Sequence, residues 1–201
     1  MNNKQLLKEY GRKNEIIRQR LRDFKQLGHE DLFYELCFCL LTPQSKAKSC
    51  DSVVKELKSR RFLERPFRPN RLLKQKTRFH NNKSRYLLEA RKRCDCILLQ
   101  LDKRRDPKEI REWLVANVKG LGYKEASHFL RNIGFEGVAI LDRHILRNLE
   151  SLGVINMPRT LTRKRYLEIE KSFERFAKST GIPMDELDLL FWSMQTGEVF
   201  K

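Results

Sequence analysis

Beyond residue 30, apolar side chains recur at the period of an α-helix, and no run alternates convincingly at the period of a strand. Residues 31–41 carry Leu32, Phe33, Leu36, Cys37 and Leu40 on one wide face, as a core helix requires. Residues 46–60 place Val53, Val54 and Leu57 together. Residues 83–101 run from Tyr86, Leu87 and Ala90 to Ile97 and Leu101. Asp106, Pro107 and Glu109 read as an N-cap, a first-turn proline and a capping-box acid, opening a helix that reaches Val118. Ala126, Phe129, Leu130 and Ile133 repeat at helical spacing and stop at Gly134. Further helices are expected over 142–152, ending at Gly153, over 163–180, ending at Gly181, and over 184–195. No Asn-Gly hairpin turn occurs. The pattern implies an all-α chain without internal repeats or a long low-complexity linker.

At 201 residues the chain has room for one domain, or for two small lobes sharing a core. No apolar run approaches the roughly 18 residues that a membrane span needs. Residues 1–30 are polar and charged, with no apolar leader segment. The five cysteines (Cys37, Cys39, Cys50, Cys94, Cys96) are odd in number and mostly in apolar helical surroundings, which fits reduced thiols in a cytosol. Their C-x-C spacing is poor for structural zinc, and the four histidines show no ligand spacing, so no metal site is expected.

Charge narrows the partner. The chain carries 43 Lys and Arg against 26 Asp and Glu, a net +17. Residues 55–93 alone hold 15 Lys or Arg and 3 Glu, and so +12 of that total. Prolines 66 and 69 mark an exposed connection near 64–79 within that stretch. Clustered like charge repels itself unless a polyanion offsets it, and nucleic acid is the commonest such partner.

One short segment gives that partner a mode of binding. Val118-Lys119-Gly120-Leu121-Gly122-Tyr123-Lys124 lies between two expected helices. Gly-x-Gly permits a tight turn and leaves backbone N–H groups at the next helix start free to meet a phosphate. This is the logic of a helix-hairpin-helix, expected over about 107–133, which grips DNA without reading sequence. Lys124 then sits in a first helical turn, where a cation is electrostatically disfavoured. Eighteen residues on, Asp142 follows the apolar Val138, Ala139, Ile140 and Leu141 and opens another helix.

Gly120-Leu121-Gly122-Tyr123-Lys124 followed by Leu141-Asp142-Arg143-His144 resembles the hairpin and Gly/Pro-Asp motif of the helix-hairpin-helix DNA glycosylases. Leu40-Leu41-Thr42-Pro43-Gln44-Ser45 resembles the segment ending an early core helix in that superfamily, and Phe79-His80-Asn81-Asn82-Lys83 its next helix start. The size and the short C-terminus closing on Lys201 are most similar to the second, archaeal-type class of 8-oxoguanine DNA glycosylase/AP lyases. The resemblance extends over essentially the whole chain. It departs at Lys119, where a hairpin proline is usual. No Cys follows Cys96, so the iron–sulfur ligands of the endonuclease III branch are missing.

The resemblance implies a two-lobed unit over residues 1–201, with its active site in the cleft between the lobes. It implies excision of 8-oxoguanine from duplex DNA, then β-elimination at the abasic site through a Schiff base on Lys124. Asp142 would be the second catalytic residue. Gln44, Phe79, Trp192 and Lys201 are the expected base-binding residues, with Phe67 and His80 as rivals to Phe79. Gly120, Gly122, Lys83 and Arg85 are the expected phosphate contacts. Asp185 and Asp188 belong near the pocket, with a helix cap as the equal alternative for Asp185. The carbonyls of Val118 and Leu121 would hold a monovalent cation, with no other cofactor required. The partner would be double-stranded DNA containing oxidised guanine, with no membrane, and the protein would act as a monomer in the cytoplasm, associated with the nucleoid.

Elementary chemistry fits these roles. Imine formation at the sugar C1′ needs a neutral amine, and a helix N-terminus with cations nearby favours that form. Loss of the base builds positive charge on the sugar, which a carboxylate stabilises. The residues alone also admit a hairpin lyase for oxidised pyrimidines and a non-catalytic nucleic-acid binder.

Overall fold

The computed structural model describes residues 2–102 and 104–201. Among them are eleven α-helices and no strand: α1 (Asn3–Lys25), α2 (His29–Leu41), α3 (Ala47–Ser59), α4 (Asn70–Lys76), α5 (His80–Lys92), α6 (Cys94–Leu98), α7 (Pro107–Asn117), α8 (Tyr123–Asn132), α9 (Arg143–Ser151), α10 (Arg163–Thr180) and α11 (Met184–Thr196). None is long and apolar enough to cross a membrane. The chain forms two compact units. One runs from Leu27 to Phe129; the other joins the chain up to Gln26 with Leu130–Lys201.

In the unit of residues 27–129, α2 is the central element. Every residue from Phe33 to Leu41 is buried, so the helix is covered on all sides, with α3, α5 and α6 packed against it. Cys37 and Cys39 are fully buried there as small apolar groups, and Cys50 and Cys94 are buried too, leaving only Cys96 exposed among five free thiols. The helix expected over 83–101 is broken. Residue 93 leaves helical geometry and its N–H turns to the carbonyls of Glu89 and Ala90, after which α6 resumes. Leu87, Ala90, Cys94 and Ile97 stay buried across the break, which is why their spacing read as one helix. The connection expected near 64–79 holds α4, anchored by the fully buried Leu73. Asp106 caps α7 as expected, accepting from the N–H of Lys108, with Pro107 at the first position.

In the other unit α11 is central, buried continuously from Met184 to Phe191, with α1, α9 and α10 against it. Helix α1 escaped the pattern reading because it buries only Leu6, Ile17 and Phe24 while Leu7 and Ile16 face solvent. Polar contacts secure it instead. The Tyr10 hydroxyl and Arg18 Nε both donate to Glu186, the latter at 3.2 Å, and Lys13 Nζ donates to Ser193 Oγ at 3.1 Å. Thr162 caps α10, and Gly181 ends it with a φ of 70°.

Candidate active site

The hairpin turn is built by its two glycines. Val118 closes α7 by donating to Leu114, and Leu121 N–H donates to the Val118 carbonyl at 3.2 Å. Gly120 has a φ of +93°, and a Cβ added there would lie 2.5 Å from the Tyr86 ring, so both backbone and packing exclude a side chain. Gly122 is exposed where α8 begins, among the helix's unpaired N–H groups. Beneath the turn, fully buried Arg111 donates to Ser127 Oγ at 3.1 Å and lies 5.4 Å from the Tyr123 ring centre. Tyr123 in turn donates to Glu112 at 2.5 Å. These braces join α7 to α8, and nothing in the sequence pattern pointed to them, because a charged residue ordinarily reads as surface.

Lys124 emerges from this braced turn, partly exposed, with Nζ 2.9 Å from Glu125 Oε1. Glu125 was also missed. Its sequence signal was an acid in a first helical turn, where the helix dipole favours it.

Two expected base-binding residues lie in the same unit. Gln44 is exposed in the turn between α2 and α3, with a φ of 53°; Phe79 precedes α5 with a φ of 56° and is 56 % exposed. Both hold the left-handed conformation that non-glycine residues rarely adopt. Its rival Phe67 packs edge-on against Phe62, with ring centres 5.3 Å apart.

Lys83 corrects an expectation. Rather than facing a phosphate, it is 3 % exposed, and its ammonium donates to the Leu41 carbonyl (2.6 Å), the Pro43 carbonyl (2.8 Å) and Ser45 Oγ (2.8 Å). Three donors meet three acceptors, leaving none for DNA. Burial pushes its pKa below the usual lysine value, and the charge of Lys124 adds to that shift. Nearby, burial pushes the Cys50 thiol up to about 11, which keeps it inert. Arg85, by contrast, is exposed and stacks on Tyr86 at 5.6 Å.

The second unit carries Asp142, Trp192 and Lys201. Asp142 caps α9: Oδ1 accepts from the N–H groups of His144 (2.7 Å) and Ile145 (2.8 Å), and Oδ2 takes no hydrogen bond among the described residues. The cap fixes the carboxylate's direction while leaving Oδ2 unengaged among the described residues. Trp192 is half-buried and stacks on Phe200 with ring centres 6.3 Å apart, which folds the C-terminus bearing Lys201 onto α11. Asp185 and Asp188 are buried in the first turns of α11, not caps; Pro183 holds that position. Burial raises both to about 7, against the pull of Arg131, whose Nη2 lies 3.1 Å from Asp188 Oδ2. The Asp142 charge pushes Asp188 the same way, which places it within electrostatic reach of Asp142. No cluster of three or more metal-ligating side chains exists among the described residues.

Comparison with known proteins places the chain in a family. The family model for 8-oxoguanine DNA glycosylase, Ogg-HhH, matches residues 17–182. An 8-oxoguanine DNA glycosylase/AP lyase of Fusobacterium nucleatum is 44% identical over 96% of this chain and 95% of its own length. One of Korarchaeum cryptofilum is 42% identical, covering 94% of this chain and 92% of its own. Among solved structures, the 8-oxoguanine DNA glycosylase of Thermotoga maritima matches at a TM-score of 0.86 with 34% identity, covering 99% of this chain and 98% of that one. The Methanocaldococcus jannaschii 8-oxoguanine glycosylase/lyase, solved with a 15mer DNA containing 8-oxoguanine, matches at 0.84 with 38% identity over 98% and 100%. With its all-helical architecture, its glycine-turned hairpin and matches along nearly its full length, this chain belongs to the 8-oxoguanine DNA glycosylase family.

Proposed function

We propose that this protein excises 8-oxoguanine from duplex DNA and then cleaves the strand at the abasic site. The observation that carries the assignment is a lysine presented by the first turn after a Gly-x-Gly hairpin, in a chain of this family. Lys124 attacks the sugar C1′ as the base leaves, forming a Schiff base whose β-elimination breaks the strand on the 3′ side. Its Nζ must lose a proton first, and the Glu125 carboxylate 2.9 Å away is in reach to take it. Asp142 stabilises the positive charge that develops on the sugar, using the oxygen its cap leaves unengaged.

The flipped base is read by Gln44, Phe79, Trp192 and Lys201. Gly120 and Gly122 present N–H groups to a phosphate, with Arg85 beside them in the same unit. The Val118 carbonyl keeps one lone pair after accepting from Leu121, and the Leu121 carbonyl accepts no backbone N–H among the described residues, so the pair suits a monovalent cation. Bound there, the cation would supply positive charge at the turn. The protein works as a monomer, in the cytoplasm, on nucleoid DNA.

Borohydride trapping on a duplex containing 8-oxoguanine tests the reading. Wild type is expected to form a covalent adduct, and Lys124→Gln none. Asp142→Asn should bind DNA normally yet excise at least ~100-fold more slowly, as loss of an electrostatic stabiliser does. Absence of a wild-type adduct on any lesion overturns the lyase assignment, and normal excision by Asp142→Asn removes that residue from the mechanism.

A further inference from the structure

Three observations in the unit of residues 27–129 converge on Lys83. Its side-chain ammonium holds the turn around Gln44 from both sides, through the Pro43 carbonyl before it and the Ser45 hydroxyl after it. Its backbone N–H donates to the Phe79 carbonyl at 3.0 Å. Ser45 Oγ also accepts the N–H of Arg78, the residue before Phe79, at 3.0 Å. Lys83 therefore ties together the only two exposed residues among those described, apart from Arg61, that hold a left-handed backbone without being glycine. Such conformations are disfavoured for residues with a Cβ and persist only where the surroundings impose them.

We propose that Lys83 is a positioning residue for lesion recognition, holding Gln44 and Phe79 in one fixed relation to each other. It does not touch substrate. This rests on the reading of Gln44 and Phe79 as base contacts. The ammonium suits the task because it saturates three acceptors at once while buried, leaving the turn no alternative arrangement of equal energy. Lys83→Met would take the donor from the Pro43 carbonyl, leave the Leu41 carbonyl with only the Cys50 thiol, and free the Gln44 turn.

The test compares two reactions of the full-length protein: single-turnover excision of 8-oxoguanine, and cleavage of a duplex carrying a preformed abasic site. Lys83→Met is expected to slow excision at least ~10-fold more than it slows abasic cleavage, since small misplacements of positioning groups have effects of that size, whereas losing a positive charge within electrostatic reach of Lys124 acts on both reactions alike. Ser45→Ala, which removes the acceptor shared by the Lys83 ammonium and the Arg78 N–H, should slow excision about threefold and tests the link between the Gln44 turn and Phe79 if Lys83→Met does not fold. In a Gln44→Ala/Phe79→Ala background, Lys83→Met should add less than about twofold, because the groups it positions are gone. Equal loss of both reactions, or a full additional loss in the double-variant background, overturns the proposal. So does wild-type excision by folded Lys83→Met and Ser45→Ala while the double variant is slow, in which case the base-contact reading stands. Normal excision by the double variant instead overturns that reading, and the positioning role with it.

Discussion

The hairpin turn and the basic segment of residues 55–93 both anticipate DNA, but they survive folding differently. The hairpin's work lies in its backbone, so seven consecutive residues suffice: Gly120 must be glycine for its φ and for the Tyr86 ring, and the helix that follows supplies N–H groups whatever its side chains. The basic segment's work lies in side chains, and folding redistributes them. Lys55, Lys58, Arg60, Arg61 and Lys76 are ion-paired with Asp51, Asp31, Glu56 and Glu64. Arg91 and Arg93 donate to backbone carbonyls, and Lys83 is buried. Seven cations remain exposed without an ion pair among the described residues: Arg65, Arg68, Arg71, Lys74, Arg78, Arg85 and Lys92. A motif made of backbone reads through from sequence; a sum of charges does not say which of them meet the partner.

The contrast can be broken most directly at Gly120. Gly120→Ala combines a positive φ with a ring clash, and should weaken duplex binding at least ~10-fold and lower the melting temperature. Fluorescence anisotropy and thermal unfolding would measure both, and a variant that binds and melts like wild type would show that the turn does not depend on this residue. A smaller effect is expected from the free cations. Arg68→Ala/Arg71→Ala/Arg85→Ala should reduce the slope of log affinity against log salt by about 0.9 for every DNA phosphate that is no longer neutralised. Lys55→Ala/Lys58→Ala/Arg60→Ala should leave that slope nearly unchanged, because those charges are already neutralised. Equal slopes for the two triple variants would mean that ion pairing within the protein does not decide which cations grip DNA.

The smallest effect on DNA is expected from a carboxyl outside both regions. Asp185, held up near 7 by burial, keeps its proton in the folded state, while in the unfolded chain it ionises near 4. Its contribution is therefore present in full below pH 4 and is lost as pH rises through 7. Asparagine avoids that loss and keeps an acceptor for the Gly137 N–H. Asp185→Asn should stabilise the protein by about 2 kcal/mol at pH 8.5 and by almost nothing at pH 4.5, with DNA affinity unaltered. Unfolding at the two pH values gives the comparison, and equal shifts at both would remove the buried proton from the account.

Much of the helical framework was legible because amphipathic periodicity reports burial directly, as at α3, α9 and α10. Where burial is thin the signal fails. Helix α1 buries three residues in 23, and polar contacts to Glu186 and Ser193 complete its seat. Spacing alone also hid the break at Arg93, since the buried positions on either side keep helical phase. In the candidate site, the places of Lys124, in a first helical turn after a glycine turn, and of Asp142, at a helix cap, were readable because both are local features. Lys83, Arg111 and Glu125 were misread or missed, because each owes its role to partners or surroundings that spacing does not reveal.

By itself, then, the sequence determined an all-helical chain, a glycine-built turn between two helices, a lysine in the first helical turn after it and a carboxylate at a helix start, because these depend on backbone preference and near neighbours. Only the tertiary structure decided which cations are spent inside the protein, which aromatic ring meets the C-terminus, and that a buried ammonium joins the Gln44 turn to Phe79. Those outcomes depend on pairing between residues dozens of positions apart, and a hydrogen bond or an ion pair leaves no period in the sequence.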